Sequence, residues 1–317
     1  MCSTDLSHVD VEKRVAREEI LEHLDEDGRN VDADDQIHVA SFGEHPLGQP
    51  ILGTEENLAR FDRAMLLDWH GAHYVAESAV LSVAGAFDAQ AALDAITRAY
   101  ASVPRGRVVT PAPFTKVPVG PRFHYVDSIG AQTDVRLAFT SMGERDPRHP
   151  ALALLARIVD DGMSARVFRT IVEDRGLAYE AFGDLVTYED TGLYVLGASA
   201  APESTAAVTG GLLEVVLGLR DGAIEDSEIA KAKTRALFGL RAAKDDSGAL
   251  AHLATTGILF GIESDLGKLA EEIERVSLDD LRTVARDVFR PETLQVVAVG
   301  SLSEAEEAEV GRVVRTA

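Results

Sequence analysis

The chain reads as an α+β protein, with a mixed or antiparallel sheet and helices packed on one face. Three observations predict this. Short apolar runs bounded by turn residues, such as SAVLSVAGAF (78–87) and TLQVVAVG (293–300), have strand length and strand composition. Longer stretches repeat apolar residues at helical spacing, most extensively from 203 to 289. Strands and helices interleave without strict β-α-β alternation, and LAYEAFGDLV is followed directly by GLYVLGASA through the polar turn TYEDT at 187–191. Strands joined by so short a turn pair antiparallel, whereas a parallel sheet needs a crossover each time.

In order along the chain, residues 8–28 are expected as an acidic helix. A second helix is expected over 54–71 (TEENLARFDRAMLLDWHG), with Thr54 as its cap. Glu55 and Glu56 stand in its first turn, where carboxylates meet the positive end of the helix dipole. FGEHPLGQPILG (42–53) between them is a structured loop. SAVLSVAGAF (78–87) is expected as a buried strand, and Asp88 opens the helix that follows it. The proline-rich PRGRVVTPAPFTKVPVGP (104–121) has no helical period and reads as a linker between a first domain, 1–103, and a second, 122–317. At about 150 residues per domain, 317 residues suit two. Beyond the linker the pattern predicts strands at 122–127 and 132–140, helices at 148–160 and 164–174, and the hairpin. The long helical stretch, a strand at 293–299 and a last helix at 302–314 complete the chain.

Composition narrows the function. Apolar residues make up 46% and charged residues 26%, the balance of a folded globular protein. The net charge is 31 − 53 = −22, which argues against nucleic acid and against an anionic membrane surface, since both are held by basic surface. No apolar run reaches the ~18–20 residues of a spanning helix, and the opening MCSTDLSHVDVEKR has no apolar core, so a cytoplasmic location is expected. Cys2 is the single cysteine, which excludes an internal disulfide and any multi-cysteine zinc site.

There is no Walker loop, no strand-borne GxGxxG and no CxxC. Gly162-Met163-Ser164-Ala165-Arg166 half resembles a nucleophile elbow but lacks the second glycine and a feeding strand, so Ser164 reads as a helix cap. His70 and His73 form an HxxH on one helical face with no acidic fourth partner, and read as a solvated helix end. Residues 19–23, E-I-L-E-H, are one substitution from the zinc-binding HxxEH, yet no third ligand is evident and a solvated carboxylate run is the simpler reading.

Three blocks carry a resemblance. GEHPLGQPILGTEENL (43–58), HYVAESAVLSVAGAFD (73–88) and DDGMSARVFRTIVEDRGLAYEAFGDLVTYEDTGLYVLGASA (160–200) resemble, in order and spacing, the pitrilysin-like zinc peptidases that include mitochondrial processing peptidase. The resemblance implies one two-domain α+β half of a clamshell that encloses a peptide, often paired with a second half. It also implies what this chain lacks. In the family an HxxEH lies some 75 residues before a third, glutamate ligand on an acidic helix, and the HPLG block follows. Counting back from HPLG at 45–48 lands on Glu19, with Glu12 on a second acidic position of that helix. Glu19 is thus the remnant of the third zinc ligand, and the first domain is expected to be truncated. Without two imidazoles there is no polarised water, so neither metal nor cofactor is expected. Active members also carry an arginine seven residues before the tyrosine of the GLAY block. Tyr179 is retained here, but the arginine position is Val172; Arg169 and Arg175 would lie on opposite sides of it on an α-helix.

The expectation is a catalytically inactive peptidase-like protein that binds an extended peptide, such as a precursor peptide presented to a processing or tailoring enzyme in ribosomal peptide biosynthesis. Tyr179 and Phe182 are the candidate peptide-binding residues, on the 177–198 hairpin, although Tyr179 also reads as a strand residue packing that hairpin. The alternative is the non-catalytic subunit of a heteromeric zinc metallopeptidase. Expected partners are therefore a peptide, a second copy in a homodimer, or a sister subunit bearing HxxEH.

Overall fold

The computed structural model describes residues 8–115, 120 and 122–317. Cys2 and part of the expected linker, 116–119 and 121, lie outside the described residues. Five helices come first: α1 (Val9–Glu22), α2 (Ala33–Phe42), α3 (Glu55–Arg60), α4 (Arg63–His73) and α5 (Ala89–Tyr100). Then follow β1 (Arg122–Asp127), β2 (Thr133–Ser141), α6 (His149–Val159), α7 (Arg166–Phe168), β3 (Ala181–Thr187) and β4 (Gly192–Ala200). The chain closes with α8 (Thr205–Arg220), α9 (Asp226–Ala243), α10 (Ser247–Phe260), α11 (Leu266–Arg275), α12 (Leu278–Val288), β5 (Gln295–Gly300) and α13 (Glu304–Arg315).

The strands form one mixed sheet in the order β1-β5-β2-β4-β3. β1 runs parallel to β5, and the other neighbours are antiparallel, with Leu137 of β2 opposite both Leu196 of β4 and Val296 of β5. The two-residue period of β2 sends Val135, Leu137 and Phe139 into a helix-covered core shared with Leu152 and Leu155 of α6, Leu212 of α8, Leu281 of α12 and Val310 of α13. At its centre Phe289 meets Tyr194 and Phe139 edge-on, with ring centres 5.1 and 5.5 Å apart. The opposite face is covered by α2, whose Ile37 and Phe42 pack on Ala138, Leu193, Val195, Val297 and Val299. The central strands are therefore buried on both faces, which is why they read as near-continuous apolar runs.

Local sequence sets the boundaries. Asp32 caps α2 by accepting the Asp35 N–H at 2.8 Å, and Asp88 caps α5 by accepting that of Ala91 at 2.7 Å. The first helix stops at Glu22, short of the expected 28, because Asp25 Oδ1 accepts the N–H groups of Asp27 and Arg29 and turns the chain. The expected helix over 54–71 is two: Phe61 is extended and Asp62 caps a new start, accepting the Met65 N–H at 2.8 Å. Thr54 does cap the first of them.

The expected strand at 78–87 is not formed. Leu81 and Val83 are half exposed, and the segment has no ladder partner among the described residues. An apolar run becomes a strand only when a neighbour accepts its backbone bonds. The Ser164 cap is also corrected. α7 starts after Ala165, and the Ser164 hydroxyl instead accepts from Lys231 Nζ.

Candidate functional site

Among the described residues β3 is an outer strand of the sheet, paired with β4 on one side. In an antiparallel pair every second residue turns its N–H and C=O away from the partner. On β3 those residues include Gly183 and Leu185, and both N–H groups are held by side chains. Gly183 donates to Asp160 Oδ2 at 3.0 Å and Leu185 to Asp184 Oδ1 at 2.8 Å. Asp160 is the C-cap residue of α6. The end of α6 approaches so closely that a Cβ at position 183 would lie 2.9 Å from Val159 Cγ1 and 3.5 Å from Asp160 Cβ, so only glycine fits. Behind it the Tyr194 hydroxyl is fully buried without a hydrogen-bond partner among the described residues. Burial, then the carboxylates of Asp160 and Asp184, push that phenol well above its ordinary pKa.

The two candidate peptide-binding residues flank this edge differently. Tyr179 is not a strand residue packing the hairpin: it lies in a bend before β3 and is 92% exposed. Gly176, with φ +59°, ends the preceding helical turn through Gly176 N–H to Val172 O and Leu177 N–H to Ile171 O bonds. That left-handed exit aims the chain outward ahead of Tyr179. Phe182 is inside β3 and half buried. Its ring covers Gly197 on β4, and the Arg136 guanidinium lies 5.1 Å from the ring centre. The structure thus gives Tyr179 an exposed ring and Phe182 a committed one.

Val172 packs against the helix-covered core. Residues 169–173 form a π turn, closed by Asp174 N–H to Arg169 O, so the α-helical placement of Arg169 and Arg175 around Val172 does not hold. Arg175 is paired with Glu214 and Arg169 makes no ion pair among the described residues.

Glu12 and Glu19 are exposed on α1. His23, which E-I-L-E-H leaves as part of a solvated run, is drawn inward: its Nδ1 lies 3.3 Å from Asp35 Oδ2 and 3.8 Å from Asp32 Oδ2. Among the described residues, these three form the group that could hold a metal ion, and Glu19 is not part of it. Asn30 Nδ2 already donates to Asp35 Oδ2 at 2.8 Å, and the Asp35 N–H occupies Asp32 Oδ1. The residues present do not fit the catalytic zinc of the resembled peptidases, since the sequence given contains no HxxEH and, among the described residues, Glu19 belongs to no group of metal-ligating side chains.

A cleft of about 550 Å³ lies away from β3 between the 144–151 loop and α11–α12. Its three arginines are paired: Arg145 with Glu189, Arg148 with Asp146 and Asp287, and Arg275 with Glu271. No described helix is long and apolar enough to cross a membrane. Sequence reasoning missed Asp160 and Asp184 as edge residues. The signal present was an aspartate inside an otherwise apolar strand, a residue type depleted in strand interiors and used to guard sheet edges.

Comparison with known proteins bears on this geometry. Residues 60–236 match the family model described as the peptidase M16 inactive domain. The chain is 31% identical over 297 residues to a protein of Mycobacterium tuberculosis named as an uncharacterized zinc protease, covering 91% of this chain and 66% of that protein. It therefore spans about two thirds of that relative's length. Among solved structures, a protease from Helicobacter pylori superposes with a TM-score of 0.83 at 17% identity, covering 93% of this chain and 71% of that one. A peptidase M16 inactive domain from Pseudomonas fluorescens superposes with a TM-score of 0.81 at 13% identity, covering 95% and 72%.

Proposed function

The chain belongs to the peptidase M16 family, matching its inactive domain over residues 60–236, and from that premise we propose that it binds an extended peptide along the outer edge of β3 without cleaving it. One observation carries the reading. Among the described residues the outward edge of β3 has no strand partner, and its Gly183 and Leu185 N–H groups are held by side-chain carboxylates that a docking strand would displace. Tyr179, exposed beside the start of β3, supplies an aromatic surface for a side chain of the peptide. Phe182, already covering Gly197, shapes the other face. The match to a domain described as inactive supports binding over hydrolysis. The occupant in this reading is a precursor peptide handed to a processing or tailoring enzyme of ribosomal peptide biosynthesis.

Calorimetry with candidate peptides tests it. Tyr179→Ala and Leu185→Pro, the latter removing an outward N–H while circular dichroism checks the fold, each weaken binding about tenfold, or 1.4 kcal/mol. Two variants that bind as tightly as the wild type place the site elsewhere.

A second reading is the non-catalytic part of a heteromeric zinc peptidase. It is favoured by the apolar surface on the first third of the chain, where Ile51 is 98%, Trp69 64% and Tyr74 66% exposed. Co-purification with an HxxEH-bearing chain that gains peptidase activity on mixing supports this reading. A second copy of this chain on the same surface appears as a dimer in sedimentation.

A further inference from the structure

We propose that Asp160 and Asp184 select the occupant of the β3 edge, so that it is an extended peptide carrying a lysine or arginine beside Gly183–Leu185. The proposal rests on the reading of β3 as a docking edge and adds the chemistry of what docks. An incoming strand would present a carbonyl oxygen to each outward N–H, which recurs at every second residue. At positions 183 and 185 those places are taken by Asp160 Oδ2 and Asp184 Oδ1, at 3.0 and 2.8 Å. Two carboxylates stand in for the carbonyls of a neighbour strand.

Docking is therefore an exchange. Each N–H gives up an ionised acceptor and takes a neutral one, and hydrogen bonds to an ionised group are the stronger kind. The exchange is unfavourable unless each displaced carboxylate finds a new partner. The chain offers none nearby. Arg157 and Arg235 both bind Asp161, at 2.9 and 3.0 Å, and neither Asp160 nor Asp184 has an ion pair among the described residues. Glu180, exposed at the start of the strand, adds to the negative charge along this edge. A cation on the docking peptide supplies the missing partner, and alternation along an extended peptide lets one side chain lean over the edge at that point. The end of α6 places Asp160 beside Gly183, and docking requires its carboxylate to turn away from the Gly183 N–H.

The test uses the full chain, its Asp160→Ala variant and the Asp160→Asn/Asp184→Asn double variant, in which amide oxygens keep the acceptors and remove the charge. The probes are a blocked Val/Thr heptapeptide with a central lysine and the same peptide with glutamine. Wild type is expected to prefer the lysine peptide about fivefold, the scale of exposed ion pairs, with the preference narrowing as salt rises. The double variant is expected to bind both peptides equally. In the absence of peptide, Asp160→Ala is expected to speed amide exchange at Gly183 about tenfold while the double variant, which keeps an amide oxygen there, changes it little. Equal binding of both peptides by wild type, or unchanged Gly183 exchange in Asp160→Ala, overturns the selection by carboxylates while leaving the docking edge standing. Failure of every peptide to bind any variant, with Gly183 exchange responding as expected, sinks the docking reading and the selection with it.

Discussion

The Arg136 guanidinium carbon sits 5.1 Å from the centre of the Phe182 ring, while Arg136 Nε donates to Asp34 Oδ1 at 2.7 Å. One side chain, 11% exposed, thus joins the central strand β2, the outer strand β3 and the first turn of α2. It is a tie between the sheet and the helix that covers its second face. Replacing Arg136 by alanine removes the stacking and frees Asp34. A loss of about 1–2 kcal/mol is expected in urea unfolding, with faster proteolysis in α2. Unchanged proteolysis of α2 would show that Ile37 and Phe42 hold it unaided.

Phe289 joins Tyr194 and Phe139 at the centre of the larger core and is fully buried. Phe289→Ala leaves a cavity that two edge-on rings cannot close. It is expected to cost about 3–5 kcal/mol, read as a lowered denaturation midpoint with little change in the denaturant slope.

Glu263 lies beside α11 and accepts the N–H groups of Asp265 and Ser264. The Asp265 N–H, then Lys268 and the Ser264 N–H, lower its pKa from 4.5 to about 2. A folded-state pKa below the unfolded value stabilises the fold above the unfolded pKa, and that contribution is lost as pH falls through the folded one. The window here runs from pH 4.5 down to about 2. A carboxyl titration by NMR is expected to place the Glu263 midpoint near the bottom of it, and Glu263→Gln to flatten the stability profile across it. A midpoint at the ordinary glutamate value would contradict the hydrogen bonding described.

Glu12 and Glu19 share one exposed face of α1, seven residues apart, with no ion pair among the described residues. Replacing both with glutamine is expected to change stability by less than about 0.5 kcal/mol and to leave peptide binding unchanged. Tenfold weaker binding in calorimetry would assign them a role that their exposure does not suggest.

The second half of the chain was legible in the sequence because its strands and helices pack on each other. The strand expected at 132–140 and the polar turn at 187–191 each specify local geometry that the core then confirms. The first hundred residues were less so. SAVLSVAGAF has the composition of a strand, but composition cannot supply the neighbour that would accept its hydrogen bonds. The break at Phe61–Asp62 depends on a single cap competing with an otherwise continuous helical period. At the candidate site, Tyr179 and Phe182 were visible as aromatic residues of the hairpin. Their unequal exposure was not, because it follows from Gly197 lying under one ring and a left-handed turn preceding the other. Asp160 and Gly183 are 23 residues apart, and only the close approach of α6 to β3 brings them together.

Backbone amide shifts followed while an extended peptide is titrated into the protein test the docking edge most directly. Binding along β3 is expected to move the amides of Ala181, Gly183, Leu185 and Thr187 together, with β1 at the far side of the sheet unaffected. Shifts centred on Arg122–Asp127 of β1, or on the exposed apolar residues between Ile51 and Tyr74, would contradict it.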